Sequence, residues 1–511
     1  MNESSNIIIL RILLALVVHL WSSSSVAYGH CEADVSPRLT GRALEGDGLA
    51  VALNGHKKQS RGRPGAREQP YVLLIGIETF RADHVGCMGY SKNTTPTLNT
   101  VAKEGVVFSK AMATASWTMP AVMSVLTSLY PEVHGTSNYD RKLPEDVVTL
   151  TKVLRENGYK TVAFVSNPTL DGRHGFCQGF ELYDDFSVWL DFVGLGKHVP
   201  GHDTAPNPDV HQTLTSDPLT RAALGWLERH YQEPFFMFVF YFDPHYDYIP
   251  PPPFDTMFDP NYDGSVDGRG IVEEPRRSNR PPQRDLDHIV ALYDGEIRYT
   301  DTYISKLLNA FAKFGILDQT FVVIFGDHGD EFYEHGRTGH AHSLYNELIH
   351  IPLILRWPSR IPEGKHIGAL TSQVDIMPTV LDYLGIKHQR PMQGTSLRGL
   401  IEGRVCGVHE FVFAGGSADR CAVIGNRSKM ILNPGAGGRE FYDILNDPGE
   451  QNSVTEAIGS SPLVASFERQ LEQWSSENRE LAAQFSRGSD SNRIQLDERR
   501  LRQLKALGYV Q

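Results

Sequence analysis

Four short segments place polar, chemically competent residues where a folded chain would ordinarily carry apolar ones. The apolar run ending at Ile77 is followed by Glu78-Thr79-Phe80-Arg81-Ala82-Asp83-His84, and the run 321–325 leads into Gly326-Asp327-His328-Gly329-Asp330-Glu331. A carboxylate or imidazole directly after a buried strand loses its hydration, and a metal ion or strong hydrogen bonds must offset that loss. A third segment, Ser116-Trp117-Thr118-Met119-Pro120, precedes the apolar helical run 121–129. Pro120 suits a first helical turn, so Thr118 sits near a helix N-terminus, where free N–H groups and the macrodipole favour an anion. The plainer reading of a lone Thr there is an N-cap. The fourth segment, Asp243-Pro244-His245-Tyr246-Asp247-Tyr248, follows the run 235–241.

The elements that must hold these segments can be read from periodicity. Runs at 71–77, 161–165, 235–241, 321–325 and 351–355 are continuously apolar and rich in β-branched or aromatic residues, as strands buried on both faces are. Helical patterns such as 219–230 and 297–311 alternate with them, which predicts an α/β fold with a doubly wound, mostly parallel sheet. Ligands of such sheets lie beyond the carboxyl ends of the strands. A Pro-rich, polar insertion from Pro250 to about Pro282 is expected over the site or on its rim. After Gly394 the texture changes to short β-like pieces at 410–414, 421–425 and 429–432. A charged helical region follows from Ser461, so a smaller C-terminal α+β subdomain is expected over 396–511. The main α/β domain then spans 69–395.

Composition sets the outer limits. With 511 residues, 41% hydrophobic and 22% charged, the chain is an ordinary globular protein and neither disordered nor a polytopic membrane protein. Apolar stretches at 7–10 and 12–20, interrupted by Arg11 and His19, run into four serines and Ala27-Tyr28-Gly29. This reads as a signal peptide over 1–29, hence export to a periplasmic, extracellular or lumenal space, with an N-terminal membrane anchor as the alternative. No stable membrane span is expected. Residues 30–68 form a flexible basic linker. A net charge of −12 provides no footprint for nucleic acid. The five cysteines have no CxxC spacing and give no disulfide framework.

The order of the motifs resembles the sulfatase family of the alkaline phosphatase superfamily. The match rests on IETFRADHVGCMGY (77–90), TTPTLNTVAKEGVVFSKAMA (94–113), LTSLYPEVHG (126–135), FDPHYDY (242–248), FGDHGDEFYEHGRTGHAHSLYNE (325–347), QVDIMPTVLDYLG (373–385) and EFYDILNDPGEQN (440–452). It extends over about 70–455 and makes 69–395 the expected catalytic domain. The family's usual motif is Cys or Ser, then x-Pro-x-Arg, with the first residue oxidised to formylglycine. This chain has Thr118-Met119-Pro120-Ala121-Val122, so neither the aldehyde precursor nor the arginine is present, and Glu78 stands where a metal-binding Asp is usual.

The combination of Glu, Thr and an Asp-His pair is similar to the metal site of lipoteichoic acid synthases and lipid A phosphoethanolamine transferases, which use Thr as nucleophile. That resemblance implies one divalent ion held by Glu78, Thr118, Asp327 and His328. Mixed oxygen and nitrogen ligation favours Zn²⁺ or Mn²⁺ over Ca²⁺. It further implies that His245 contacts the ester and protonates the leaving oxygen, and that His340 lies on the anion. His342 is a secondary candidate and Asp247 an orienting group, while His84, His134 and His335 are expected to be structural.

The expected function is a metal-dependent hydrolase of sulfuric or phosphoric esters, using Thr118 in place of formylglycine. Its partner is an anionic ester, such as a sulfated or phosphorylated glycan or lipid. A formylglycine hydrate expels sulfate by collapsing to the aldehyde, a route closed to Thr, so Thr118 raises the weight of phosphoryl chemistry. One alternative is a phosphoryl-group transferase or phosphodiesterase of the same superfamily. A reading from another class is a catalytically inactive pseudo-sulfatase that binds a glycan or a partner.

Overall fold

The computed structural model describes residues 69–185, 214–272, 279–417, 420–433, 438–459, 461–485 and 492–495. The expected signal peptide and linker lie outside the described residues.

Strands β1 (Tyr71–Ile77), β2 (Val106–Met112), β3 (Lys160–Val165), β4 (Leu182–Asp184), β5 (Phe235–Tyr241) and β6 (Thr320–Gly326) all belong to one large sheet. Two short strands, β7 (Glu331–Phe332) and β8 (Thr338–Gly339), pair with each other outside it. Strands β9 (His350–Arg356), β10 (Lys365–Ile367) and β11 (Thr371–Ser372) complete the large sheet. Its order is β10-β2-β9-β6-β1-β5-β3-β4, with β11 also on β2. Every described pairing is parallel except those of β9, which runs antiparallel to both β6 and β2. The fold is thus the mixed, mostly parallel α/β sheet expected.

That reversal has a geometric effect. Because β6 ends and β9 begins at the same edge of the sheet, the intervening segment 327–349 stays at the carboxyl edge of the parallel strands. A right-handed helical crossover would have carried it to the opposite edge.

Helices α1 (Pro96–Lys103), α2 (Thr118–Thr127), α3 (Leu150–Glu156), α4 (Ser216–His230), α5 (Gln283–Lys313) and α6 (Ile376–Leu384) surround the sheet. The observed α5 is far longer than the 297–311 pattern predicts. Its first half buries Asp294 and Glu296 on the apolar stripe, which blurs the helical period. Asp294 is taken up by His84 Nδ1 at 2.7 Å, Tyr90 Oη at 2.7 Å and Lys92 Nζ at 2.8 Å. Strand β2 escaped the apolar-run criterion because Ser109 and Lys110 interrupt it. They sit where its pairing with β9 slips between Phe108 and Ala111, an irregularity at which both are half-buried.

The C-terminal strands β12 (Phe411–Ser417), β13 (Arg420–Gly425), β14 (Lys429–Asn433) and β15 (Gly438–Tyr442) form an antiparallel sheet in sequence order. Its residues alternate between two faces. Val412, Ala414, Ala422, Ile424 and Ile431 join the core of the large sheet. Val423, Met430 and Phe441 pack under Val464, Phe467, Leu471 and Trp474 of helix α7 (Pro462–Ala482). From Gln69 onward the described residues accordingly form one compact unit.

Gly76 allows the central strands to close. A Cβ there would stand 2.5 Å from Cδ2 of Phe240 and 3.0 Å from Cζ of Phe325, the rings contributed by its two neighbours β5 and β6. Gly76→Ala is expected to destabilise the protein by about 1–3 kcal/mol through overpacking, read as a lowered urea midpoint at unchanged m.

A second expectation concerns pH. His335 Nδ1 lies 2.6 Å from Glu347 Oε1. Burial opposes its charge, but Glu347 outweighs that and pushes its pKa from 6.5 up to about 9. The raised value means that this pair stabilises the fold fully below pH 6.5 and ceases to do so as pH rises through about 9. Thermal unfolding of His335→Gln should therefore differ most from the parent at pH 6 and converge with it above about pH 9.

Candidate active site

Four adjacent strands, in the order β3, β5, β1 and β6, present their carboxyl ends to one place. Asn167 follows β3, His245 follows β5, Glu78 follows β1, and Asp327 with His328 follows β6. The parallel ladder continues past the strand ends, since Glu78 N donates to Tyr241 O at 3.0 Å and Asp327 N to Ile77 O at 3.2 Å. With Ile77 in register with Gly326, two carboxylates are forced side by side.

The turn after β1 holds Thr79 at φ 42°. Its backbone N–H donates to Asp327 Oδ1 at 3.0 Å, and His328 N donates to the same oxygen at 2.7 Å. Asp327 Oδ2, equally buried, has no hydrogen-bond partner. Asn167 Nδ2 donates to Glu78 Oε2 at 2.5 Å.

Helix α2 supplies Thr118. Trp117 is fully extended, with φ −159° and ψ 157°, and acts as the N-cap; all ten helical residues from Thr118 are buried. The Thr118 hydroxyl donates to Glu78 Oε1 and lies 3.2 Å from His328 Nε2. His328 Nδ1 lies 3.0 Å from the carbonyl of Gly329, which can only accept, so Nδ1 carries the hydrogen. Its Nε2 then faces Glu78 Oε1 and Asp327 Oδ2, each at 3.4 Å.

Glu78, Thr118, Asp327 and His328 are all 0% exposed. Burial raises the Asp327 carboxyl well above its usual range, and the neighbouring charge of Glu78 adds to the shift. His328 is pushed up to about 9, because Asp327 and Glu78 outweigh the burial penalty on its charged form. One ligand atom each from Glu78, Asp327 and His328 lies within 4.8 Å of the others. Two carboxylates, one imidazole nitrogen and an unsatisfied carboxylate oxygen suit a divalent cation.

Beside this cluster stands a wall of rings. The His340 ring lies 4.5 Å from His328 and 5.3 Å from His245, with Tyr246 stacked on it at 5.2 Å. Asp330 Oδ1 holds His340 Nδ1 at 2.6 Å, and Tyr248 Oη donates to Asp330 Oδ2 at 2.5 Å. His245 stacks on Phe242 at 4.5 Å, and its Nδ1 donates to Tyr246 O at 2.7 Å. The Pro-rich insertion reaches this wall at Val272, whose Cγ1 lies 3.0 Å from where a Cβ on Gly339 would stand.

The fold therefore gathers Glu78, Thr118, Asp327 and His328 into one cluster and sets His340 and His245 next to it. His342 turns instead to Glu331 Oε2 at 2.6 Å, and Asp247 accepts from Ile271 N at 3.2 Å, pinning the insertion. His134 is enclosed by Ser124, Pro120 O and the backbone of Thr136. Sequence reasoning overlooked Asn167, Asp330, Tyr246 and Tyr248. The rule that found Glu78 and Asp327, a polar residue just past a buried strand, points equally to Asn167 after the run 161–165. Asp330 and the tyrosines sit inside motifs already noted, but only side-chain geometry assigns them partners.

Comparison with known proteins identifies the family. The chain is 24% identical over 435 residues to an N-acetylglucosamine-6-O-sulfatase of Bacteroides thetaiotaomicron, covering 69% of this chain and 73% of that one. It is 24% identical to a Delta 4,5-hexuronate-2-O-sulfatase of the same organism over 467 residues, covering 83% and 92% of the two chains. The crystal structure of a phosphonate monoester hydrolase of Agrobacterium radiobacter superposes with a TM-score of 0.65 at 21% identity, covering 84% of this chain and 100% of that one, and shares the alkaline phosphatase-like fold. Residues 334–477 match the model of the N-sulphoglucosamine sulphohydrolase C-terminal region. Residues 70–386 match the sulfatase model, and the chain belongs to the sulfatase family.

Proposed function

We propose that this sulfatase-like ester hydrolase is metal-dependent and uses the Thr118 hydroxyl as its nucleophile in place of formylglycine. The observation that supports the reading is the Thr118 hydroxyl itself. It is buried at the first turn of α2, donates to Glu78 Oε1, and lies beside the unsatisfied oxygen-rich cluster of Asp327 and His328. Glu78, Asp327, His328 and Thr118 would hold one divalent ion, which as a Lewis acid supplies a lowered hydroxyl pKa and polarises an ester oxygen.

Glu78 accepts the proton of Thr118 as the oxygen attacks sulfur or phosphorus. The N-terminus of α2 faces the developing negative charge. His245, whose Nδ1–H is fixed on Tyr246 O, offers Nε2 to the leaving oxygen and donates the proton that completes the alcohol. His340 lies on the anion. In the second half, water displaces Thr118 from the sulfate or phosphate, His245 takes the proton from that water, and Glu78 returns one to Thr118.

The substrate class proposed is a sulfated glycan, in keeping with the sugar sulfates named in the two relatives. A phosphoric ester is the second reading. It is favoured by Thr118, since a phosphorylated Thr is open to metal-assisted attack by water whereas a sulfated Thr lacks formylglycine's aldehyde exit. Among the described residues no helix is long and apolar enough to cross a membrane. Export through residues 1–29 is part of the same proposal.

Three outcomes follow from these roles. Elemental analysis of the purified protein should find about one Zn or Mn per chain, removed by chelation and absent from Asp327→Ala. Thr118→Ala should lower kcat by about 10⁴-fold or more on aryl sulfate and aryl phosphate alike. Unchanged turnover in that variant would sink the nucleophile assignment, and a phosphate trapped on the quenched Thr118 peptide would decide for the phosphoric ester. His245→Ala should lose about 10²–10⁴-fold on esters of poor leaving alcohols and much less on nitrophenyl esters, which need no proton.

A further inference from the structure

The motif at 440–452 is not used by the chemistry above, although it carries a fully buried charge. Glu450 and its partner Lys429 each have 0% side-chain exposure, with Lys429 Nζ 2.8 Å from Glu450 Oε1. Glu450 also adopts φ 53°, a left-handed conformation that a non-glycine residue holds only when its surroundings impose it. Neither group touches the metal cluster. Their remaining contacts fall on the segment that carries His340.

Both ends of that segment are clamped. At one end, Glu450 Oε2 accepts from Asn346 N at 2.6 Å, Lys429 Nζ donates to Asn346 Oδ1 at 3.2 Å, and Pro448 O accepts from Asn346 Nδ2 at 2.9 Å. At the other, the Glu450 carbonyl lies 3.0 Å from His335 Nε2, and Gln451 Nε2 donates to Glu334 O at 3.2 Å. From His335 the connection runs inward without a break. His335 N donates to Glu331 Oε1 at 2.9 Å, Glu331 Oε2 holds His342 Nε2 at 2.6 Å, and His342 Nδ1 lies 3.0 Å from the carbonyl of His340.

We propose that Glu450, held in place by Lys429 of β14, is a positioning residue for His340, so that the C-terminal sheet sets the anion-facing wall of the active site. The physical reason lies in the topology. Segment 327–349 is a long return between antiparallel neighbours and lacks a helix of its own beyond one short turn at Asn346–Ile349. A loop of that length holds a side chain to within a fraction of an ångström only if something external over-determines it. The pair Glu450 and Lys429 does so from an element that shares no sheet with the catalytic strands. The inference rests on the reading that His340 meets the ester.

The test is a double-mutant cycle on the metal-loaded enzyme together with hydrogen exchange. Glu450→Gln should lower kcat by about 100-fold, as displacement of a catalytic group by about 1 Å does. In a His340→Ala background the same change should add almost nothing, because the group it positions is gone. If Glu450→Gln cost the same factor in both backgrounds, its effect would be general and the proposal overturned.

Exchange monitored by mass spectrometry reports independently of turnover. Amides of 331–347 should open faster in Glu450→Gln while those of β1 and β6 stay protected. Exchange unchanged in that segment, or raised uniformly along the chain, would count against the proposal. His335→Gln interrupts the same connection at a half-buried point, and a smaller but equally non-additive loss is expected should Glu450→Gln not fold. Failure of Thr118→Ala to abolish activity would refute the nucleophile without touching the exchange result.

Discussion

Two carboxylates in one fully buried volume govern this structure. Strands β1 and β6 are parallel neighbours in register, and the residue that leaves each is an acid, so Glu78 and Asp327 are driven together at the carboxyl edge, both fully buried from bulk solvent. Such a pair is unstable unless positive charge or hydrogen-bond donors come to it. Everything around it supplies one or the other: the backbone N–H groups of Thr79 and His328, the Asn167 amide, the Thr118 hydroxyl at a helix N-terminus, and the His328 imidazole. A carboxylate oxygen of Asp327 is still unsatisfied after all of these, which leaves a place suited to a divalent cation.

The same constraint explains the apolar surroundings. Helix α2 is buried along its whole length, a pattern that packs its N-terminus firmly against the sheet edge and leaves Thr118 little freedom. Gly76, by having no side chain, lets Phe240 and Phe325 cover β1 from both neighbours, so the ends of the three central strands lie close enough for their polar exits to meet. Electrostatic attraction of substrate by net charge has no part in this design, since the chain is acidic overall. On the proposed function an anionic ester is received locally, by the cluster, the helix N-terminus and the histidine wall.

Much of the fold is legible because strands buried on both faces are written as continuous apolar runs, and five such runs fall on strands of the large sheet, four parallel and β9 antiparallel. The strands that escaped are those where another requirement overrides the run. Ser109 and Lys110 interrupt β2 at the slip in its pairing with β9, and β15 carries the polar Gly438-Arg439-Glu440 on the C-terminal sheet. The long helix α5 was read short for a related reason, because Asp294 and Glu296 occupy its buried stripe and only their partners elsewhere in the chain make that tolerable.

The candidate site divides in the same way. Residue type and order determined which groups were available, since an acid after an apolar strand, or a Thr before a helical Pro, is a local departure from what burial favours and shows in one dimension. The sequence by itself also carried the family, through motifs spread over most of the chain. The tertiary structure alone decided which groups face one another. It set Asn167 on Glu78, Asp330 on His340 and His342 on Glu331, and it brought Glu450 to the segment that bears His340. Such pairings depend on strand order, on the antiparallel return of β9 and on where a second sheet packs, and these are set by the burial of the whole core, which no local stretch of sequence encodes.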